Sequence, residues 1–211
     1  MLKVKTLTFN PAQENTYILF NDRNKAIIID PGCYYSAEQE TLKDFIKDTQ
    51  LEPVWLLNTH CHLDHVCGNL FTADTWGLEL HIPSGEEQVL ANAPLHGDKW
   101  GMPFKNYDGP VHFLHEGGTI SLGEDTLKII LAPGHSPASM CFYAEKEKFV
   151  IGGDVLFHES IGRTDLPGGN HETLLRSIRE QLFVLPDDVT VFPGHGQSTT
   201  IGYEKQHNPF F

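Results

Sequence analysis

Four side chains able to ligate a metal ion crowd into six residues, His60-Cys61-His62-Leu63-Asp64-His65, directly after the apolar run Val54-Trp55-Leu56-Leu57. Imidazole nitrogen and carboxylate oxygen are both good ligands for zinc and similar divalent ions. In an extended or turning segment alternate residues share a face, so His60 and His62 can grip one ion. Asp64 and His65 lie past the turn and address a second ion. A single tetrahedral ion cannot use four residues in six and still be completed from elsewhere, so the density points to two metals.

Three further loops follow the same pattern, each after an expected strand: Ala132-Pro133-Gly134-His135-Ser136-Pro137, Gly152-Gly153-Asp154-Val155 and Phe192-Pro193-Gly194-His195-Gly196. Glycine or proline beside each candidate ligand lets the backbone turn sharply and leaves the side chain at a strand end. Together, His60, His62 and His135 would hold one ion, Asp64, His65 and His195 the other, and Asp154 would bridge them. Coordination lowers the pKa of bound water from about 15.7 towards about 7, so a hydroxide bridging the ions becomes a nucleophile at neutral pH. Asp64 would orient it, and the His60/His62/His135 ion would act on the developing oxyanion.

These loops need strands to carry them. Short β-branched and aromatic runs at 16–20 and 25–29 flank a hairpin turn, Asn21-Asp22-Arg23-Asn24, and the unbroken Ile27–Ile29 run reads as a strand covered on both faces. Ser36 with Gln39 reads as a capping box opening a helix through Leu42, Phe45 and Ile46. Two helical pieces around a strand at 78–82 fill residues 69–93, and 93–110, with Trp100 and Phe104, reads as an irregular lid or pocket wall. The second half has a similar make-up, with strands at 111–114, 127–131, 140–144, 149–151 and 189–192, a helix capped by Asn170, and a short helix over 201–207. Strands mixed with flanking helices make this an α/β chain, read as one domain over 1–211.

Composition narrows the function classes. With 15 Lys+Arg against 28 Asp+Glu among 211 residues, the formal charge is −13, which disfavours nucleic acid and anionic membrane as partners and leaves a small molecule. No apolar run approaches the about 20 residues of a membrane span. Cys33, Cys61, Cys67 and Cys141 show no CxxC or disulfide spacing, consistent with free thiols in a reducing cytoplasm. Cys61 should face the core, opposite its neighbouring ligands, while Cys67 lies just beyond His65. His81, His96, His112, His115 and His207 read as ordinary solvated histidines.

The HxHxDH run at 60–65, with His135, Asp154 and His195 downstream, resembles the metallo-β-lactamase superfamily over roughly residues 16–195. The resemblance implies an αββα sandwich, two β-sheets flanked by helices, with pseudo-symmetric halves of about 1–108 and 109–211 and a dinuclear site. A bridging Asp in a Gly-Asp segment, with Gly162-Arg163-Thr164-Asp165 beyond it, is similar to short glyoxalase II-like (hydroxyacylglutathione hydrolase-like) hydrolases. That implies a metal-dependent thioester or ester hydrolase with two divalent ions, zinc first and Fe or Mn compatible, and S-lactoylglutathione as a candidate substrate. It also places Arg163 against an anionic substrate group, although Asp165 offers it a loop-holding salt bridge instead. His158 and His171 flank that loop as candidate pocket residues. With about 16 residues after His195, the chain is expected to be without the family's carboxy-terminal helical glutathione-binding domain, and Gly196-Gln197 stand where the family has a tyrosine. The competing reading is a persulfide dioxygenase with a single non-haem iron on His60, His135 and Asp154; a purely structural metal site, which favours closed Cys-rich shells, fits these residues less well.

Overall fold

Alternation along the central strands sorts the side chains into layers, because successive residues of a strand point to opposite faces. A computed structural model describes residues 1–211. Its first sheet has the order β1 (Lys3–Phe9), β2 (Glu14–Phe20), β3 (Lys25–Ile29), β4 (Glu52–Leu57), β5 (Leu80–Pro83), β6 (Val111–Leu114). The first three strands are antiparallel, and β3 through β6 are parallel. The helices α1 (Ser36–Asp48), α2 (Leu63–Val66), α3 (Asn69–Trp76) and α4 (Glu87–Trp100) lie between strands of this sheet in sequence. The second sheet runs, in spatial order, β14 (Thr199–Thr200), β13 (Thr190–Pro193), β10 (Phe149–Gly153), β9 (Met140–Ala144), β8 (Asp125–Leu131), β7 (Thr119–Leu122). A small hairpin of β11 (Leu156–Phe157) and β12 (Ser160–Ile161), the helix α5 (His171–Ser177) with a π-helical continuation over Ile178–Leu182, and α6 (Ile201–His207) complete the chain.

Tyr17, Leu19, Ile27 and Ile29 of the first sheet meet Met140, Phe142, Phe149 and Ile151 of the second in the central core. Their neighbours turn outward. Ile18 and Ala26 pack with Leu42 and Ile46 of α1, while Cys141, Tyr143 and Val150 pack with Leu174 of α5 and Ile201 of α6. Leu56, Leu80 and Ile82 cover Ala73 of α3 and Leu90 and Ala93 of α4, with the fully buried Cys61 among them. This is the expected αββα sandwich. The changeover between sheets lies between Leu114 and Thr119, since the 111–114 strand completes the first sheet.

Three local expectations are corrected. α1 begins at Ser36 itself, so its capping carboxylate is Glu38 and not Gln39: Glu38 accepts from the backbone N–H groups of Tyr34 and Tyr35 at 2.9 Å each and of Asn10 at 2.7 Å. The expected strand list was incomplete: residues 119–122 form the edge strand β7, and a further strand, β14, follows the expected last one. The third correction bears on the cleft. The segment expected to be irregular from Ala93 is helical through Trp100, with Pro94 inside α4. Proline has no N–H for the carbonyl four residues back, and Asn106 Nδ2 donates to that carbonyl, Leu90 O, at 2.7 Å. Asn106→Ala is therefore expected to lower unfolding stability by about 1–2 kcal/mol, read as an earlier chemical denaturation midpoint; an unchanged midpoint would refute this role.

Candidate metal centre

Parallel strands deliver their carboxyl ends to one side of a sheet. β4 ends into His60–His65, while β8, β10 and β13 share a direction and end into His135, Asp154 and His195. At this end of the sandwich β2 is tied to the segment that follows β13. Asn15 N donates to Gly194 O at 2.7 Å, Asn15 Nδ2 to Gly196 O at 2.9 Å, and the Tyr17 hydroxyl to Pro193 O at 2.6 Å. Gly194 is required by close approach: a methyl group there would collide with Asp154 Oδ1 and lie 2.8 Å from His65 Cε1.

The predicted ligands come together in two groups, His60/His62/His135 and Asp64/His65/His195, each with ligand-type atoms within 4.8 Å of one another. In the first, His135 Nε2 lies 2.8 Å from His62 Nδ1 and 3.2 Å from His60 Nε2. Nitrogens bound to one tetrahedral zinc at about 2.0–2.1 Å sit about 3.3 Å apart, so this spacing suits a shared ion. In the second, His195 Nε2 is 3.2 Å and His65 Nε2 3.7 Å from Asp64 Oδ2. Asp154 lies between the groups, 3.4 Å from His65 Nε2, 3.4 Å from His135 Nε2 and 3.5 Å from His195 Nε2.

Three of the rings are oriented from behind. His65 Nδ1 faces Asp30 Oδ2 at 3.1 Å, His135 Nδ1 donates to Arg163 O at 2.7 Å, and His195 Nδ1 donates to Ala12 O at 3.1 Å. Committing Nδ1 in this way leaves Nε2 facing the centre, the arrangement that fixes tautomer and orientation in metal-binding histidines. Asp30 also accepts from Thr59 N at 2.7 Å and Thr59 Oγ1 at 2.5 Å, so it braces the start of the HxHxDH loop as well.

The electrostatics fit a cation. Burial pulls the His60 imidazole well below its ordinary range, reinforced by His65, His62 and His135, and burial with the His135 charge brings His62 down to about 3. Both rings are therefore neutral, as ligands must be. Burial acts the other way on Asp154, but His65 and His135 outweigh it and hold the carboxyl well below its usual value. Burial opposes charge on His65 too, yet Asp154 and Asp64 prevail and lift it well above its ordinary range. The carboxylates thus draw positive charge into this pocket. Buried His65 Nε2 and Asp154 Oδ1 have no hydrogen-bond partner, which is costly for atoms of this kind; a divalent ion answers both demands.

The family model for the metallo-beta-lactamase superfamily matches residues 9–195, from the end of β1 to the last histidine of the cluster. The chain belongs to that superfamily. The hydroxyacylglutathione hydrolase GloC of Haemophilus influenzae is 36% identical over 213 residues, covering 99% of this chain and 98% of the relative. Among solved structures, BLEG-1 B3 metallo-beta-lactamase is similar with a TM-score of 0.91 at 37% identity, covering 99% of each chain. TTHA1623 in a di-iron-bound form is similar with a TM-score of 0.89 at 34% identity, covering 98% of this chain and 100% of that one.

Above the cluster this superfamily member opens a cleft of about 500 Å³. Arg163 lines it, but its guanidinium is engaged by Asp165 through Nε–Oδ1 at 2.7 Å and Nη2–Oδ2 at 2.8 Å. His158 and His171 do not line the cleft: His158 stacks on Tyr203, and His171 packs edge-on against Phe210. His96, read from sequence as an ordinary solvated residue, does line it, from the same face of α4 as Trp100. Cys67 is buried with its thiol on Gly32 O at 3.4 Å, apart from both ligand groups.

Sequence reasoning also missed three buried carboxylates, Asp30 among them. Glu14 is fully buried with Oε1 4.0 Å from His65 Nδ1. Glu86 accepts from Cys61 N at 3.0 Å, Ala138 N at 2.8 Å and Ser136 Oγ at 2.6 Å, binding the loop of His60 and His62 to the loop of His135. Asp30-Pro31-Gly32 at the end of an apolar strand was a legible signal of the same kind as the ligand loops; Glu86 had none.

Proposed function

We propose that this protein is a metal-dependent hydrolase that cleaves a thioester or ester. The observation that carries the reading is the convergence of seven ligand-type side chains: His62, Asp64, His135, Asp154 and His195 line one cleft, with His60 and His65 buried beside them. His60, His62 and His135 would hold one ion, Asp64, His65 and His195 a second, and Asp154 both. Two divalent ions bound there supply Lewis acidity and bring the ionisation of water into the neutral range. Zinc suits these nitrogen and oxygen donors, and the di-iron-bound relative supports two-metal occupancy. The 36% identity to a hydroxyacylglutathione hydrolase supports thioester chemistry.

The chain's own residues position the reaction. Burial opposes ionisation of Asp64, but His65 and His195 outweigh it and keep the carboxylate charged. Its partly exposed oxygens face the cleft and accept a hydrogen bond from an attacking water, orienting it towards the substrate carbonyl. Leu63 and Phe157 beside the floor exclude bulk water. A thiolate with a free pKa of about 8.5 leaves without a proton from the protein, so thioester cleavage needs no general acid. Four free, buried thiols support a reducing cytoplasm as the working compartment. The acidic chain, in which no helix is long and apolar enough to cross a membrane, supports a small molecule over nucleic acid or membrane as partner.

Elemental analysis of protein purified without added metal, paired with a thioester panel that includes S-lactoylglutathione, tests this. About two equivalents of metal per chain and hydrolysis abolished by chelation are the expected results. Undiminished hydrolysis by metal-free protein would overturn the reading. So would a single iron with oxygen uptake on glutathione persulfide, or a β-lactam cleaved in preference to every thioester.

A further inference from the structure

The cleft has a polar floor and apolar walls. Leu63, Trp100, Met102, Phe157, Ile161 and Leu166 surround the reacting centre, and Arg163 is the one permanently charged cation among the lining residues. Its Nε–Nη2 edge is taken by the Asp165 carboxylate, which also neutralises its charge. Both partners stay charged at any working pH, because the guanidinium hydrogen bonds hold the Asp165 carboxyl down at about 2. A carrier such as glutathione brings two carboxylates, for which a binding site normally offers unpaired guanidinium or ammonium groups. This cleft presents none.

Its rim is built for something else. Trp100 ends α4 with 65% of its surface exposed, unusual for so large an apolar side chain. His96 lies one turn earlier on the same helical face, and both line the cleft. This wall is held in place rather than loose. Gly101 closes the helix in the left-handed conformation, Met102 N donates to Gly97 O at 2.8 Å, and Phe104 packs against Gly97. A preorganised, uncovered tryptophan at the mouth of an apolar cleft gains most from a substrate that buries it.

We propose that the substrate is an ester or thioester whose non-reacting portions are uncharged and apolar, with Trp100 as the wall that selects them. This rests on the hydrolase reading above. In the reaction the acyl carbon gains the oxygen of water and the C–S or C–O bond breaks. The two hydrogens of the water end on the carboxylic acid and on the released thiol or alcohol, with no oxidant or reductant.

The test uses the metal-loaded enzyme and matched acyl series, acetyl through hexanoyl, on N-acetylcysteamine and on glutathione. The neutral N-acetylcysteamine thioesters should be preferred in kcat/KM by about tenfold or more, with activity rising along the acyl series. Trp100→Ala should lower the hexanoyl-to-acetyl ratio of kcat/KM by about tenfold. Asp165→Asn, which releases Arg163, should raise glutathione thioester use relative to the neutral series. Preference for the glutathione series by the unaltered enzyme, or a chain-length ratio unmoved by Trp100→Ala, would overturn the apolar assignment while leaving the hydrolase reading intact. Failure to cleave any member of either series or of the matching ethyl esters would instead overturn the hydrolase reading.

Discussion

Replacing Asp154 with alanine is expected to abolish hydrolysis and strip the protein of metal in the same step. Asp154 is the one carboxylate within 3.5 Å of histidines from both ligand groups, and its Oδ1 is buried without a partner. Removing it leaves three imidazoles with no common counter-charge, and His65 loses the largest opposing influence to its burial. Changes in residues that only orient metal ligands cost about 10–100-fold in affinity or activity, so loss of this central group should exceed about 100-fold in both. Thermal unfolding provides the control. Metal that binds only the folded state raises its stability, so chelation should lower the Tm of the unaltered protein and leave that of Asp154→Ala where it is. A metal-replete, active Asp154→Ala protein would refute the assignment of the site.

Glu86→Ala should be nearly as damaging, from a position outside the ligand set. Glu86 is fully buried, and its loss strands the N–H groups of Cys61 and Ala138 and the hydroxyl of Ser136. Unsatisfied buried donors cost about 1–3 kcal/mol each, so unfolding stability should fall by about 3 kcal/mol or more. The loops of His60, His62 and His135 also lose their common tie, and metal affinity of that group should drop by about 10–100-fold. Glu86→Gln keeps an acceptor and the side-chain volume, so it should recover much of both. It should also alter the pH dependence of stability. Burial lifts the Glu86 carboxyl above its ordinary range, with Ser136, Ala138 and Cys61 pulling it back only in part. A carboxyl raised on folding contributes stability that is complete below the unfolded value of about 4.3 and is lost as pH rises through the folded value. Denaturation of Glu86→Gln across this range should lack that decline. Unchanged stability and metal content in Glu86→Ala would refute the bracing role.

The candidate ligand cluster was legible because its signals are local. Two histidines and a carboxylate at alternating positions after an apolar strand, and glycine or proline beside His135, Asp154 and His195, are visible within a few residues each. The layers were legible for the same reason: strand alternation and unbroken apolar runs record which faces are covered. Residue 94 shows where this fails. A proline in a glycine-rich, aromatic segment reads as a helix breaker. The chain is helical there because Asn106, 16 positions beyond Leu90, takes the carbonyl that proline leaves free.

The sequence by itself determined the fold class, the strand ends and the seven residues with ligand chemistry, because each depends on spacings shorter than a strand or a turn. Only the tertiary structure decided which of the other residues matter to the site. Asp30 reaches Thr59 and His65 across 29 and 35 positions, and Glu86 reaches Ser136 and Ala138 across 50 and 52. It brought His96 to the cleft, left His158 and His171 outside it, and closed Arg163 onto Asp165. Hydrogen bonds and ion pairs act over about 3–4 Å, and which groups come that close is settled by how the two sheets pack, not by their order along the chain.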